Sequence, residues 1–334
     1  PGDFVFINGP AEAAPLLEAL YVATLKRGGN PMLNTGLPGI QELFFNLADD
    51  EQLEFVNPVF EMIVKQADVW MTVEAPSNTK ALANLPPQKM ARYQKAMAHL
   101  FPIQLERMSD RSLRWCLMPW PTGAAAQQTD MGLHAYADFL YQACALDKDD
   151  PVAYWQSVSE KQERLVEYLK DKSHAVVKGP GIDMSFDFPG RLWVSAAGTL
   201  NFPDGEIFTG PLEDSVNGTV EFNMRSVLNG REVNGVKFRF EDGVVVEASA
   251  EKGQDFLLSQ LDADEGARRL GEFAIGTNNN LQRFTRELLF DEKLGGTIHV
   301  ALGFGFPEAG GKNKSAHHLD LICDMKDGGE IWVD

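Results

Sequence analysis

The sequence has few cysteines and no long hydrophobic run. Its three cysteines, Cys116, Cys144 and Cys323, are widely spaced in a chain of 334 residues and odd in number. This pattern excludes a disulfide framework and a cysteine-based zinc motif, and we expect reduced thiols in the cytoplasm. No apolar run approaches the roughly 18 residues that a membrane helix needs, and no signal peptide is recognisable. We therefore expect neither a membrane segment nor secretion.

Positive charge is also scarce. Lysine and arginine total 30 against 48 aspartates and glutamates, which gives a formal net charge of -18. Because a chain this acidic repels phosphate groups, we expect no nucleic-acid partner and no anionic membrane partner. Apolar residues make up 44% and charged residues 23% of the chain, which is typical of a globular protein and excludes the disordered, collagen and coiled-coil classes.

Motifs for nucleotide binding and for serine hydrolases are missing. The sequence contains no G-x-G-x-x-G, no P-loop and no G-x-S-x-G elbow. The glycine-rich stretch "GFGFPEAGG" at residues 303–311 is not followed by a helical pattern whose N-terminus could bind phosphate. The sequence therefore predicts no nucleotide cofactor.

The first half of the chain alternates between strand and helix patterns. The segments "DFVFING", "ADVWMTVEA" and "LRWCLMPWP" predict strands, and residues 11–29 predict a helix that stops at a glycine pair. A second helix over residues 86–108 is expected to be interrupted near Pro102. Asp150 followed by Pro151 predicts the start of an amphipathic helix that runs to about Lys172. Strands separated by helices indicate a mostly parallel sheet, and hence an α/β domain over residues 1–175.

After residue 175 the pattern changes to antiparallel strands. "GIDMSFDF" alternates between apolar and polar residues, and Asp242-Gly243 joins two further strands as a hairpin. One helix is expected from Gln254 to Leu270, followed by the strands "TIHVALGF" and "HHLDLICDM". Residues 176–334 therefore predict a β-rich α+β domain. Because the chain starts at Pro1 without a methionine and stops after a strand-like segment, we expect residues to be missing at both ends.

Histidines in two of these strands are candidate metal ligands. His318 and Asp320 are two residues apart, so their side chains face the same side of a strand and could bind one divalent cation. His317 would face the other side. His299 lies in the middle of "GGTIHVAL", where it is either a buried core residue or a third ligand.

Two carboxylates are candidates for the same site. Glu206 follows a Pro-Asp-Gly turn at the start of a strand, where it could be solvated or a ligand. Glu272 is expected just after a helix that stops at Gly271 and before an apolar strand. A carboxylate half buried in this way needs a cationic partner.

Around these residues the sequence resembles the thermophilic aminopeptidase (aminopeptidase T-like) family of dinuclear metallopeptidases. The resemblance is carried by residues 201–223, 261–325 and 328–334, which include "NFPDGEIFTGP", "GEFAIGTNN", "GGTIHVALG" and "HHLDLICDM". Residues 76–96 and 136–155 are similar to the family's first domain. The resemblance therefore extends over nearly the whole chain.

The resemblance implies an α/β domain followed by a β-rich metal-binding catalytic domain, in a homodimer whose active sites face an internal cavity. It implies a metal-dependent aminopeptidase that uses two divalent cations to activate a water and acts on peptides with a free N-terminus. Zinc, cobalt, manganese and magnesium would all suit the mixed ligands. By position, Glu272 would bridge the two ions, and the full ligand set would be Glu206, Glu272, His299, His318 and Asp320.

The chain departs from this family at two positions, which keeps two further functions open. Phe306 stands where the family usually has a tyrosine at the metal centre, and phenylalanine can neither donate a hydrogen bond nor bind a metal. His317 stands where an apolar residue is more usual. One alternative is an inactive family member. The other is a ring-cleaving dioxygenase, similar in fold to the family, whose single non-haem iron would use His299, His318 and Asp320.

Overall fold

The computed structural model describes residues 1–82, 84–224, 226–228 and 231–334. The chain divides into two compact units, one made of residues 1–137 with 199–202 and the other of residues 138–198 with 203–334. Residues 138–175 are thus grouped with the second unit by their contacts, whereas the sequence predicts a domain boundary at residue 175. The boundary at residue 175 between an α/β domain and a metal-binding domain stays a prediction.

The first unit is built on a four-stranded parallel sheet, which confirms the α/β prediction. The strands lie in the order β2-β1-β3-β4 and all neighbouring pairs are parallel. The elements are β1 (Phe4–Pro10), α1 (Ala14–Lys26), β2 (Asn30–Gly36), α2 (Ile40–Leu47), α3 (Asp50–Glu54), α4 (Pro58–Gln66), β3 (Val69–Glu74), α5 (Pro87–Met97), α6 (Leu100–Ser109), β4 (Arg114–Pro119), α7 (Gly123–Gln128) and α8 (Leu133–Ala143), the last of which crosses the division between the units.

Both faces of this sheet are covered by apolar side chains, as a parallel sheet requires. Ile7 of β1 packs with Leu17 of α1, and the adjacent Phe6 packs on the other face with Ile63 of α4. The predicted interruption of this helix lies a few residues before Pro102: α5 ends at Met97 and α6 begins at Leu100. Pro102 lies in the first turn of α6, where its missing N–H removes no helical hydrogen bond.

The second unit contains two larger antiparallel sheets, which confirms the β-rich prediction. A six-stranded sheet has the order β13-β12-β9-β6-β5-β17, a five-stranded sheet has the order β16-β15-β14-β8-β7, and β10 pairs with β11. The elements are α9 (Pro151–Leu169), β5 (His174–Gly179), β6 (Ile182–Asp187), β7 (Val194–Ala196), β8 (Glu206–Thr209), β9 (Asn217–Glu221), β10 (Ser226–Leu228), β11 (Arg231–Val233), β12 (Lys237–Glu241), β13 (Val244–Ser249), α10 (Gln254–Leu261), β14 (Leu270–Gly276), α11 (Leu288–Asp291), β15 (Thr297–Gly303), β16 (His318–Asp324) and β17 (Glu330–Val333).

The core of the second unit lies between its two larger sheets. Phe186 of the six-stranded sheet contacts Phe273 of the five-stranded sheet, with 4.7 Å between their ring centroids. Val300, Leu302 and Leu321 belong to the same buried cluster. Because side chains alternate along a strand, the residues between these apolar positions face the opposite side of the five-stranded sheet.

Local signals explain several boundaries of the second unit. The Asp150 carboxylate accepts a hydrogen bond from the Ala153 backbone N–H at 2.9 Å, so it caps α9 as predicted. Asp242 and Gly243 both have positive φ angles, 47° and 79°, which a two-residue hairpin turn requires.

In the described part of the chain, no helix is long and apolar enough to cross a membrane.

The helix predicted from Gln254 to Leu270 is wrong in its second half. Helix α10 ends at Leu261, and strand β14 already begins at Leu270. Between them the Asp264 carboxylate accepts hydrogen bonds from the backbone N–H groups of Gly266 and Ala316, which hold this segment in a turn. As a result Glu272 lies inside a strand and does not follow a helix end.

Candidate metal centre

The predicted site residues lie on the face of the five-stranded sheet that points away from the unit's core. Glu272 lies on β14, His299 on β15 and Asp320 on β16. On each strand the neighbouring apolar side chains point into the core, and the site residue points to the opposite face. All three are buried, with 4%, 2% and 7% of their surfaces exposed. Strand alternation thus puts one polar side chain from each of three neighbouring strands on one face.

Alanine residues leave space between these polar side chains. Ala301 of β15 is the cross-strand neighbour of both Glu272 and Asp320. Ala274 of β14 is the neighbour of His299. A larger side chain at either position would occupy the space into which the carboxylates and imidazoles converge, because cross-strand neighbours lie about 5 Å apart.

A tight turn delivers Glu206 to the same face at the start of β8. Gly205 has a φ of 122°, and a Cβ atom there would lie 2.7 Å from Cβ of Asn278, so this position requires glycine. The Asp204 carboxylate accepts hydrogen bonds from the N–H groups of Gly198 and Gly205 and fixes the turn. Glu206 is only 6% exposed, so it is not a solvated surface carboxylate.

Five predicted ligands form two groups that share Glu272. In the first, Nε2 of His299 lies 3.4 Å from Oε2 of Glu206 and 3.9 Å from Oε1 of Glu272. In the second, Nε2 of His318 lies 3.1 Å from Oε2 of Glu272 and 3.4 Å from Oδ1 of Asp320. Within each group of three, one ligand atom of every residue lies within 4.8 Å of the others.

A backbone carbonyl sets the orientation of the His318 ring. Nδ1 of His318 lies 3.0 Å from the carbonyl oxygen of Phe304. Because a carbonyl can only accept, Nδ1 carries the proton in this bond and Nε2 faces Glu272 and Asp320. Histidines that bind metals are commonly oriented by such a bond from the other ring nitrogen.

Two charged residues of this site were missed in the sequence. Lys293 is buried, and its ammonium lies 2.5 Å from Oε1 of Glu206 and 2.8 Å from Oε1 of Glu292. Glu292 also forms a third group with His299 and Asp320. The segment "FDEKLGGT", which contains this charged pair, resembles a solvated turn. The one available signal was that several buried carboxylates need positive charge nearby.

Burial and charge act in opposite directions on Glu206 and Lys293. Burial raises the pKa of Glu206 to about 7, although the Lys293 ammonium and His299 both lower it. Burial lowers the pKa of Lys293, but attraction to Glu206 and to nearby carboxylates outweighs burial and raises the pKa well above its ordinary value. Lys293 is therefore a buried cation, and Glu206 is its nearest partner.

The carboxylates near His299 and His318 raise the pKa values of both imidazoles. Burial lowers the pKa of His299, yet its interaction with Glu272 and attraction to Glu206 raise it to about 9. Attraction to Asp320 likewise outweighs burial and raises the pKa of His318. Burial raises the pKa of Glu272, but the interactions with both imidazoles outweigh burial and hold the pKa well below its ordinary value. A divalent cation here would replace the imidazolium charge and release protons.

The donor atoms of the site fit a divalent cation. Oε2 of Glu206 is buried and has no hydrogen-bond partner among the residues that the structure describes. A buried acceptor of this kind is unfavourable unless a cation or a donor satisfies it. Imidazole nitrogens combined with carboxylate oxygens suit zinc, cobalt and manganese.

Phe306 lies beside His318 of the second group. Its ring centroid is 4.9 Å from that of His318 and 5.5 Å from that of Phe208. His317, the other unusual position, belongs to none of the three groups of possible ligands in the described ranges. In those ranges no group contains both His299 and His318, so no observation favours the iron site of a dioxygenase.

The chain is similar to known aminopeptidases over nearly its whole length. Aminopeptidase T of Thermus thermophilus is 32% identical, over 98% of this chain and 88% of its own length. Aminopeptidase 2 of Geobacillus stearothermophilus is 30% identical, also over 98% of this chain and 88% of its own length. The solved structure of wild-type AmpT from Thermus thermophilus superposes with a TM-score of 0.86 at 27% identity, over 99% of this chain and 90% of that chain. The sequence profile described as thermophilic metalloprotease (M29) matches residues 1–329, and the chain therefore belongs to this family.

Proposed function

We propose that this metallo-aminopeptidase hydrolyses the N-terminal residue of peptides at a centre of two divalent cations. Its membership of the metalloprotease family and its aminopeptidase relatives support a metal-dependent hydrolase that acts on peptides. In this proposal the ligands are Glu206, Glu272, His299, His318 and Asp320.

The position of Glu272 is the observation that carries the two-cation part of the proposal. Its Oε1 faces His299 and the first group, whereas its Oε2 faces His318 and the second group. A carboxylate that offers one oxygen to each of two groups is suited to bridge two ions. The proposal assigns this bridging role to Glu272.

The surrounding residues are suited to orient a substrate. When bound, two divalent cations supply an acidified water and polarise the scissile carbonyl. His318 has the most exposed side chain of the five proposed ligands, at 26%, so a peptide would approach from its side. Nδ1 of His318 donates a hydrogen bond to the Phe304 carbonyl, and the ring of Phe306 packs edge-on against the imidazole.

The free α-amino group of the substrate would bind one of the two cations or a nearby acidic residue. Glu292, which is not among the five proposed ligands, forms a third group with His299 and Asp320. The identity of the cations is proposed as zinc, cobalt, manganese or magnesium. A homodimer and a cytoplasmic location are further parts of the proposal, which rest on the family resemblance and on the acidic, cysteine-poor composition.

The test is hydrolysis of leucine p-nitroanilide by the chain after chelation and addition of each of the four metal ions. Turnover is expected to return with at least one ion, and His318→Ala should abolish it. N-acetyl-leucine p-nitroanilide is the matched control, because it lacks the free amine and should not be cleaved. Absence of turnover with every ion, or activity that survives in His318→Ala, would contradict the proposal.

A further inference from the structure

The buried ammonium of Lys293 contacts the candidate metal centre from behind Glu206. The Lys293 side chain is 2% exposed and reaches Oε1 of Glu206 at 2.5 Å and Oε1 of Glu292 at 2.8 Å. The other oxygen of Glu206, Oε2, points to Nε2 of His299 at 3.4 Å. The two oxygens of this carboxylate therefore have different partners.

We propose that Lys293 is a positioning residue that holds Oε1 of Glu206, so that Glu206 offers only Oε2 to the cation site. The inference rests on the proposed function, because it assumes that a cation binds at this group. The same ammonium contacts Oε1 of Glu292, whose carboxylate lies in a third possible group with His299 and Asp320.

The local fold gives Lys293 little freedom to do anything else. Its backbone N–H donates to the Phe290 carbonyl, and its own carbonyl accepts from the Asn278 N–H, so the chain is fixed on both sides of the residue. A lysine in this position loses nearly all contact with water, which is costly for an ammonium unless carboxylates surround it. The pairing with Glu206 and Glu292 is what makes its burial tolerable.

Two roles for Lys293 predict opposite changes in metal affinity. If Lys293 were only a nearby positive charge, its removal would lower the repulsion on a cation, and Lys293→Met should bind metal more tightly. If Lys293 positions Glu206, its loss leaves the carboxylate free to rotate, and metal binding should weaken. Loss of residues that orient metal ligands typically costs roughly 10- to 100-fold in affinity.

The experiment is titration of the chelated full chain with Zn²⁺ in competition with a chromophoric chelator, together with a count of bound ions. We expect Lys293→Met to bind Zn²⁺ roughly 10- to 100-fold more weakly than the wild type. Lys237→Met removes the same charge from an exposed lysine paired with Glu221, and should leave the affinity unchanged. Equal or tighter binding by Lys293→Met would overturn the inference.

A second variant keeps the inference testable if Lys293→Met does not fold, which circular dichroism would show. Lys293→Arg retains the charge but presents a planar fork in place of a point charge, so it would displace the Glu206 carboxylate. Positioning predicts weaker Zn²⁺ binding by this variant, whereas a pure charge effect predicts no change, which would overturn the inference. A wild-type chain that binds no divalent ion would instead contradict the proposed function itself.

Discussion

Phe306 lies edge-on to His318, with 4.9 Å between the ring centroids and an angle of 65° between the ring planes. The ring also packs against Phe208 and Phe304, so it is held at one side of the imidazole by other aromatic side chains. A hydroxyl group added to this ring would introduce a hydrogen-bond donor beside the candidate metal centre. This relationship makes position 306 a direct test of how the site works.

We predict that Phe306→Tyr raises the turnover of leucine p-nitroanilide roughly tenfold or more, because a phenol can donate a hydrogen bond to the oxyanion that forms during hydrolysis. The measurement is kcat with the same metal ion in both proteins. Phe304→Tyr is the matched control, because it adds a hydroxyl to the neighbouring ring and should leave kcat unchanged.

The outcome of this test also separates the active from the inactive alternative. If the wild type is inert and Phe306→Tyr alone is active, the natural chain is not a competent aminopeptidase. If both proteins turn over equally, the hydroxyl has no function at this position.

The count of bound ions tests the bridging role of Glu272. We predict two ions per wild-type chain and at most one in Glu272→Gln, because both groups of ligands lose the residue that they share. Activity should fall by more than roughly 100-fold, the upper range for residues that act one step further from a metal. Mass spectrometry of metals after dialysis provides the count. Two ions retained by Glu272→Gln would contradict the proposed bridge.

Glu308→Gln is the matched control for this experiment. Glu308 is partly buried and close enough to feel the charge of Glu272, and burial together with that charge raises its pKa. It belongs to none of the groups of possible ligands found in the described ranges. Its amide variant should keep two ions, so a loss in Glu272→Gln alone reflects the ligand and not a general change in charge.

Sequence patterns predicted the strands of the site better than they predicted the site itself. Alternation placed His299 and His318 in strands, and the Pro-Asp-Gly turn placed Glu206 at a strand start, as observed. What brings them together is the order β16-β15-β14-β8, which depends on pairing between distant segments. No local pattern encodes that order, so the family resemblance was needed to join the five residues.

The features that the sequence did not predict correctly have physical causes in particular residues. The edge strand β2, "NPMLNTG", was missed because its polar residues and Pro31 are typical of a loop, although an edge strand tolerates both. The helix predicted to Leu270 ended early because Asp264 bonds to N–H groups across a turn. The burial of Lys293 depends on Glu206, a residue 87 positions away in the chain.

The pH dependence of stability should contain a contribution from Asp291. Burial raises the pKa of this carboxyl group to about 7, although hydrogen bonds from the Thr285 N–H and hydroxyl lower it. The folded chain therefore holds a proton that the unfolded chain releases near pH 4. Stability should fall as pH rises from about 4 to about 7, by up to about 1 kcal/mol per pH unit from this group.

Two variants isolate this contribution in urea unfolding at pH 5 and pH 8 with a chelator present. Asp291→Asn can still accept both bonds from Thr285 but cannot ionise, so it should gain stability relative to the wild type at pH 8 and not at pH 5. Thr285→Val removes one donor and should extend the fall in stability to higher pH. An unchanged difference between the two pH values in Asp291→Asn would contradict the assignment.

The loop that carries Phe306 is held by an ion pair between a buried arginine and a partly exposed glutamate. The Arg191 side chain is 3% exposed, whereas that of Glu213 is 25% exposed, and Nη2 of Arg191 lies 2.6 Å from Oε2 of Glu213. The other carboxylate oxygen accepts from the Lys312 N–H at 2.8 Å, just beyond Phe306. A buried charge without a partner costs more free energy than an exposed one. Removal of Glu213 should therefore destabilise the chain more than removal of Arg191.

We predict that Glu213→Ala lowers the free energy of unfolding by roughly 3 kcal/mol or more, because it leaves the buried guanidinium of Arg191 without its partner. Arg191→Met should cost less, about 1 kcal/mol, since the remaining Glu213 carboxylate is partly solvated and keeps its bond to Lys312. The double variant should cost less than the sum, because the unpaired charge is gone. Urea unfolding measures all three values, and equal losses in the two single variants would show that unequal burial does not govern this pair.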